Sequence, residues 1–363
     1  MKYLVAISRY FVGILFIFSG LIKINDPIGT AIKLEEYFEI FATDFAGFFH
    51  VFIPYSLYLS VIICVLEVVL GIAVLLYYRM HITAWILLLL IIFFTFLTFY
   101  SAFTDNVTDC GCFGDAIPLN PWQSFYKDLI LLVFVSFLFI ARKKVKPVLN
   151  QKKGDISMVV SAILCTAIAW YAIAHLPFID FRPYKIGNNI ETAMKPSAPL
   201  RYKYIMTKDG KKETFEEYPT DPGYEFVAMV PINPKDQPKI TDYHLWTDDG
   251  EFTDASFEGN KVMIVIENVD KAKLKNLDKL REITENMPPL ADVWILTSSS
   301  AAKIENFRHE YQIAAPYFYA DGTVLKAMIR SNPGLILMKD GTVLGKWHIN
   351  DIPESKKLKE LLK

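Results

Sequence analysis

Five stretches of this chain are each long and apolar enough to cross a membrane, and nothing constrains its fold more. They are Leu4 to Ile22, Leu57 to Tyr77, Ile82 to Phe103, Ser124 to Ala141 and Ile156 to Leu176. A bilayer core about 30 Å thick takes roughly 20 apolar residues of helix. No water is available there to satisfy backbone groups, so each run has to be a helix. Five such runs in succession are hard to bury inside a soluble core. The first run is not read as a cleaved signal peptide: Arg9 interrupts it, and "FSGLIKINDP" offers no small-residue cleavage pattern. Apolar residues make up 53% of the chain, but they crowd into its first half, and the second half reads as a soluble domain. With 38 basic against 39 acidic residues, the charge balance argues against a nucleic-acid partner.

Lys/Arg bias orients such a bundle. The loop "RKKVKPVLNQKK" between the fourth and fifth runs is the most basic in the chain. Placing it in the cytoplasm also puts Lys2 and Arg79 there. The segment from Lys23 to Ser56, the loop around residues 105–122 and everything after about Pro177 then lie outside, in the periplasm of a bacterial inner (plasma) membrane. Trp122 and Tyr126 flank the outer boundary, as interfacial aromatics do.

Glu67 stands in the middle of the second run, in "VIICVLEVVLGIAVLL". A carboxylate at that depth needs a partner, a proton or a watery cavity. The mid-depths of the first two runs fall near Gly13 and Glu67, which makes Arg9 the expected ion-pair partner. The alternative is an Arg9 that snorkels to the inner interface beside a protonated Glu67. A second polar group gathers at the outer helix ends: Lys23 and Asp26, then Glu35, Glu36 and Glu39 on an amphipathic stretch along the surface, then Lys127 and Asp128. Solvated helix ends account for most of these. Lys23 and Lys127 stand apart, because a nearby ammonium lowers a thiol pKa.

The thiols in question are Cys110 and Cys112, in "VTDCGCFGDAIPLNPW". Cys64 and Cys165 lie within apolar runs and read as packing residues. A bridge between residues two apart closes a small ring and is labile when strained and exposed. Gly111 permits the dihedrals such closure requires. Four roles are open to the pair: a redox-active dithiol, a structural disulfide, half of a metal site, or two thiols with no role. A full metal-ligand set is not visible, since His50 is the sole histidine in the outer loops of the membrane half. No metal site is therefore expected.

"RYFVGILFIFSGLIKINDPIG", "CVLEVVLGI" and "DCGCFGDAIPLNPWQSFYKDLILL" together resemble the DoxX-like and MauE-like family of small four-helix membrane proteins, over about residues 1–145. The C-G-C-F-G-D block is the most specific part. The resemblance implies a four-helix bundle in the inner membrane, with links to thiol or sulfur redox, to quinones and to maturation of disulfide-rich periplasmic enzymes. By position it carries over to Arg9, Lys23, Asp26, Glu67, Cys110 and Cys112. The fifth run and the long tail depart from the minimal member.

After the fifth run, "AHLPFIDFRPYKIGNNI" reads as a linker or arm. "RYKYIMTKDGKKETF" reads as a hairpin turning at Asp209–Gly210, followed by the strand-like "YEFVAMV". From about residue 241 the pattern becomes strand ("KVMIVIEN"), helix (Leu274, Leu277, Leu280 and Ile283 on one face), strand ("ADVWILTSS"), helix ("AAKIENFRHEY"), a hairpin turning at Asp340–Gly341, and a final helix. That order resembles the thioredoxin fold of membrane-tethered, extracytoplasmic proteins. It implies Pro333 as the cis-proline and a C-x-x-C motif near residues 268–271. The sequence there is "ENVDKAK", and no cysteine follows Cys165, so this domain cannot exchange thiols. Ser298 to Ser300 read as capping residues, and His309 and His348 as surface or satisfied core histidines.

The expected organisation is a four-helix bundle over residues 1–145, a basic loop and fifth span over 146–177, a linker and β-rich segment over 178–240, and a thioredoxin-like domain over 241–363. The expected function is inner-membrane redox accessory work. Cys110 and Cys112 cycle, Lys23 and Lys127 tune them, and electrons pass to a quinone or a partner oxidoreductase. The alternatives are a non-enzymatic scaffold that binds a periplasmic partner through its tail, and a transporter that uses Glu67. The transporter lacks the repeat symmetry such folds carry.

Overall fold

A computed structural model describes residues 2–104, 111, 113–208 and 210–363. Cys110, Cys112 and Asp209 lie outside the described residues. The chain divides into two compact units, Met1–Phe181 and Arg182–Lys363.

The first unit holds helices α1 (Lys2–Asn25), α2 (Pro27–Asp44), α3 (Ser56–Leu76), α4 (Met80–Thr104), α5 (Pro121–Ala141) and α6 (Gln151–Ala174). A 3-10 stretch, Gly47–Tyr55, leads directly into α3. Five segments among these residues are long and apolar enough to span a bilayer: α1, Gly47–Leu76, α4, α5 and α6. The remaining helix, α2, is capped by Asp26, whose carboxylate accepts from the Gly29 N–H at 2.9 Å, with Pro27 at the first helical position. One face of α2 is buried, and its Tyr37 and Phe41 join Leu97 of α4 in a small aromatic-rich cluster. It is therefore packed against the bundle along one side.

Small residues fix the register of α1 against α3. A Cβ at Gly71 would come within 2.8 Å of the Gly13 carbonyl oxygen, and one at Gly20 within 3.0 Å of the Val68 nitrogen. Backbones can approach this closely only at glycine. Val12, Phe16, Leu70, Val74, Leu87, Leu131 and Val135 fill the space between α1, α3, α4 and α5.

In the second unit, α7 (Ile190–Ala193) precedes a three-stranded sheet of β1 (Tyr202–Lys208), β2 (Lys211–Phe215) and β3 (Glu225–Pro231), in the order β2-β1-β3. The larger sheet comprises β4 (Trp246–Thr247), β5 (Gly250–Glu251), β6 (Asn260–Ile266), β7 (Asp292–Thr297), β8 (Tyr317–Tyr319), β9 (Gly334–Lys339) and β10 (Thr342–His348). Its order is β10-β9-β6-β7-β8-β4-β5. Strands β6 and β7 run parallel, β9 runs antiparallel to β6, and β10 closes the hairpin. Helices α8 (Leu277–Asn286), α9 (Ala301–Tyr311), α10 (Gly322–Met328) and α11 (Ser355–Leu361) complete the unit. This is a thioredoxin-like arrangement. It carries β8 and α10 as additions between α9 and β9, and the β4–β5 hairpin at its start.

Three expectations change. The exit segment is not wholly a linker: Gly187 donates to the Val343 carbonyl and Ile190 to that of Gly341, so residues 187–190 lie along the β9–β10 turn. Leu274 was expected on the buried face of a helix but is exposed; α8 begins only at Leu277, because the Lys273 N–H is drawn to the Asn332 carbonyl at 2.9 Å. The serines after β7 do not cap α9 through their side chains. Instead Ser299 Oγ accepts from the Val269 N–H at 3.0 Å and Ser298 Oγ donates to the Glu267 carbonyl at 2.6 Å, which ties that corner to the loop after β6.

Candidate functional site in the helix bundle

Glu67 is 1% exposed and Lys23 7%. The Lys23 ammonium donates to Glu67 Oε1 at 2.5 Å, and Ser19 Oγ donates to Oε2 at 2.9 Å. Ser19 and Lys23 are one turn apart on α1, so both reach the same carboxylate on α3. The Lys23 ammonium also lies 4.9 Å from the centre of the Phe94 ring on α4. Two charges far from water are tolerated only when each meets the other with further hydrogen bonds, which is the arrangement here.

The expected partner of Glu67 was Arg9, and the structure corrects this. The Arg9 guanidinium donates to the Leu75 carbonyl, with Nε at 2.7 Å, and stacks 4.4 Å from the Tyr77 ring centre. It covers an orphan carbonyl at the C-terminal end of α3, where a cation is favoured. Matching the midpoints of the two apolar runs misplaced the register. The glycine contacts set Gly13 level with Gly71 and Leu75, so Glu67 faces the C-terminal half of α1. Leu75 is two turns beyond Glu67, about 12 Å along the axis.

A second pair stands on the neighbouring helices. Lys127 and Asp128 of α5 approach to 2.8 Å, and Thr98 Oγ1 of α4 donates to Asp128 Oδ2 at 3.0 Å. The Asp128 carboxylate is 1% exposed. Phe94 and Thr98 are one turn apart on α4, so a single face of that helix touches both pairs.

Cys110 and Cys112 lie outside the described residues, but their sequence neighbours do not. A Cβ at Gly111 would meet Lys33 Cγ of α2 at 3.3 Å. Gly111 adopts φ +64°, a conformation that favours glycine. Phe113 is buried, 5.7 Å from the Phe18 ring of α1, with the Lys127 ammonium 5.2 Å from its own ring centre. Lys33, paired with Glu36 at 3.0 Å, was not singled out from sequence. Only the fold of α2 back along the bundle brings it beside Gly111.

In the second unit, the place where a thioredoxin carries its dithiol holds a 3-10 turn, Val269–Lys271. Asn332 Nδ2 donates to the Asn268 carbonyl at 2.7 Å, and the peptide bond from Asn332 to Pro333 is cis. Lys273 Nζ lies 3.3 Å from His348 Nε2, and burial pulls the Lys273 ammonium below the usual lysine range. His348 itself is buried, with Nδ1 accepting from the Asn350 N–H at 3.1 Å. Hydrogen bonds between backbone and amide side chains thus close the pole at which the fold otherwise displays sulfur.

Residues 1–141 match the family model described as methylamine utilisation protein MauE. The helical region is thus similar to MauE, and a thioredoxin-like region follows it. Protein TlpB of Flavobacterium psychrophilum is 29% identical over 178 residues, which cover 48% of this chain and 45% of the relative. The match thus spans less than half the length of that curated protein. No solved structure matches significantly. The MauE-like region comprises α1 to α5, so both lysine–carboxylate pairs fall within it, and α6 lies beyond. With five segments long and apolar enough to cross a bilayer, the chain is a multi-pass membrane protein.

Proposed function

We propose that this chain is a redox-accessory protein of the bacterial inner membrane, in which Cys110 and Cys112 cycle between dithiol and disulfide on the periplasmic face. One observation carries the reading: the residues on either side of Cys112 lie beside lysines, Gly111 against Lys33 of α2 and Phe113 under Lys127 of α5. Cationic surroundings shift a thiol toward thiolate, the form that attacks a disulfide. Oxidising the pair releases two electrons and two protons. A disulfide on a periplasmic partner takes up both and leaves as a dithiol.

A quinone is the second acceptor the residues fit. The Lys23 ammonium, beside the Phe94 ring, is a donor of the type suited to a carbonyl oxygen, while the single Ser19 O–H stays on Glu67. When bound, a quinone supplies a sink for two electrons and two protons. Glu67 and Asp128 then serve as proton holders beside their lysines. The thioredoxin-like region, having no cysteine, docks the partner rather than reacting with it.

Mass-tagged alkylation in intact cells, with and without reductant, tests this directly. The expected result is a pair whose tagged fraction follows the redox conditions and whose partner accumulates in the wrong oxidation state when Cys110 and Cys112 become serine. A pair that never changes state removes the redox role. One observation favours a second reading, a non-enzymatic assembly scaffold: the hydrogen-bonded closure of the cysteine-free pole around Asn332. A scaffold keeps its function in the double serine variant.

A further inference from the structure

The end of the bundle that carries the α5–α6 loop is charged with one sign. Arg142, Lys143, Lys144, Lys146, Lys152 and Lys153 stand within twelve residues, and no acidic residue occurs between Asp128 and Asp155. Asp155 is itself engaged: the Arg79 guanidinium donates to it at 3.1 Å, and the Tyr78 hydroxyl donates to the same oxygen. Among the described residues, no carboxylate pairs with any of the six cations. The loop is fastened to the bundle. Val148 N–H donates to the Leu76 carbonyl at 3.0 Å, Lys144 N–H donates to that of Ala141 at 2.8 Å, and the Asn150 side chain caps α6. Like charges held this close repel one another, and an anion among them relieves the repulsion.

Topology accounts for cations in such a loop, but not for the way Arg142 is held. Its Nη1 donates to the Phe139 carbonyl at 2.6 Å. The guanidinium lies 3.8 Å from the Phe139 ring centre and 5.9 Å from that of Trp85, and the two rings meet edge-on at 4.6 Å. Its plane is therefore fixed. Nε is buried without a partner, and Nη2 meets no acceptor among the described residues. A guanidinium so placed is under-satisfied by the protein, and its free edge fits phosphate oxygens. The neighbouring surface indicates where the phosphate comes from. Trp85, Leu89 and Phe93 follow at one-turn intervals along α4 and are 46%, 62% and 43% exposed. In a bilayer a stripe of this kind meets acyl chains. Free phosphate gains nothing from it, whereas a phospholipid can set its headgroup at Arg142 and its chains along the stripe. A zwitterionic headgroup brings an ammonium that the lysines repel, so the lipid that fits is anionic.

We propose that residues 142–153 form a binding site for the headgroup of an anionic phospholipid of the phosphatidylglycerol class. Arg142 bonds the phosphodiester, the lysines around it supply the attracting field, and the acyl chains lie against Trp85 and Leu89. Each cation near an anionic lipid contributes about fivefold to the affinity. The site lies at the opposite end of the bundle from the Lys23–Glu67 pair and uses neither Cys110 nor Cys112. It is therefore independent of the redox reading.

Native mass spectrometry of the full-length chain, delipidated in neutral detergent, tests this by titration with dioleoyl phosphatidylglycerol or dioleoyl phosphatidylcholine. The glycerol lipid should bind at least about tenfold more tightly. Arg142→Gln should weaken it about tenfold, through loss of a charge-assisted hydrogen bond. Arg142→Lys should recover only part of that, because an ammonium lacks the planar fork. Lys143→Gln, Lys144→Gln and Lys146→Gln together should weaken it about a hundredfold, three cations at about fivefold each. These three lysines are exposed, so their replacement reports on the site even where Arg142→Gln fails to fold. Equal affinity for the two lipids would overturn the proposal, as would a triple variant that keeps the preference. An Arg142→Gln chain that folds and binds as tightly as the parent would overturn the role of Arg142. Inorganic phosphate bound by the delipidated chain as tightly as the lipid would also overturn the proposal, by assigning the site to a free anion.

Discussion

The two units bury opposite kinds of residue. In the helical unit, large apolar side chains such as Leu89, Ile130 and Ile163 are more than half exposed, while Lys23, Glu67, Asp128, Ser60 and Thr98 are buried. In the thioredoxin-like unit, Val262, Ile264, Ile266, Leu280 and Ile295 are fully buried, and most charges lie outside. A lipid tail is as apolar as leucine, so burying leucine between membrane helices contributes little beyond packing. Polar groups there gain by leaving lipid for one another. In the water-facing unit the order reverses, and apolar burial is the main driving force. A buried polar residue therefore marks specificity in the first unit, whereas in the second a buried apolar residue marks stability.

Substitutions can break or sharpen this contrast. The largest effect is expected from Glu67→Ala, which leaves the Lys23 ammonium buried without its carboxylate. A loss of about 3–5 kcal/mol is expected in the helical unit, read by thermal unfolding in detergent. Replacing both residues by apolar ones of similar size should recover most of it, as seen when buried pairs are exchanged for packing. An uncompensated charge costing nothing would sink the idea that the pair organises the bundle. Next is Ile264→Ala in the second unit, where β6 is buried on both faces. About 2–4 kcal/mol should be lost, confined to that unit's transition and visible by hydrogen exchange at β6 and β7. Gly71→Ala tests packing rather than charge, because a methyl group there meets the Gly13 carbonyl. A loss of about 1–3 kcal/mol is expected, together with a shift in the Glu67–Lys23 contact. The smallest effect is assigned to Lys195→Ala. Its 2.5 Å pair with Glu191 lies in water, both side chains being largely exposed, and chemical denaturation should detect less than about 0.5 kcal/mol. If the exposed pair proved worth as much as the buried one, the contrast between the units would fail.

Periodicity carries far in such a chain, and its failures are instructive. The spans were legible because length and continuous apolarity have one solution in lipid. The strand–helix order from β6 onward was legible because alternating runs of this length imply covered parallel strands. The β9–β10 turn was legible in Asp340–Gly341, which adopt φ +45° and +73° as a tight hairpin requires. The partner of Glu67 was not. Arg9 and Lys23 are both cations on α1, and choosing between them needs the sliding register of α1 on α3. That register is set by Gly13, Gly20 and Gly71, whose role in close approach appears only once the helices meet. Lys33 escaped notice for a similar reason, since it is distant in sequence from Gly111. Ser299 looked like a helix cap, but the Val269 N–H, 30 residues away, claims its hydroxyl.

The sequence by itself determined the solvent of each half, the number of crossings and the absence of cysteine from the second domain, because these follow from composition along the chain and need no neighbour. Tertiary structure alone decided which lysine neutralises Glu67 and what Arg9 caps. Those outcomes depend on distances between segments, and a slip of about two helical turns is enough to exchange one charge partner for another.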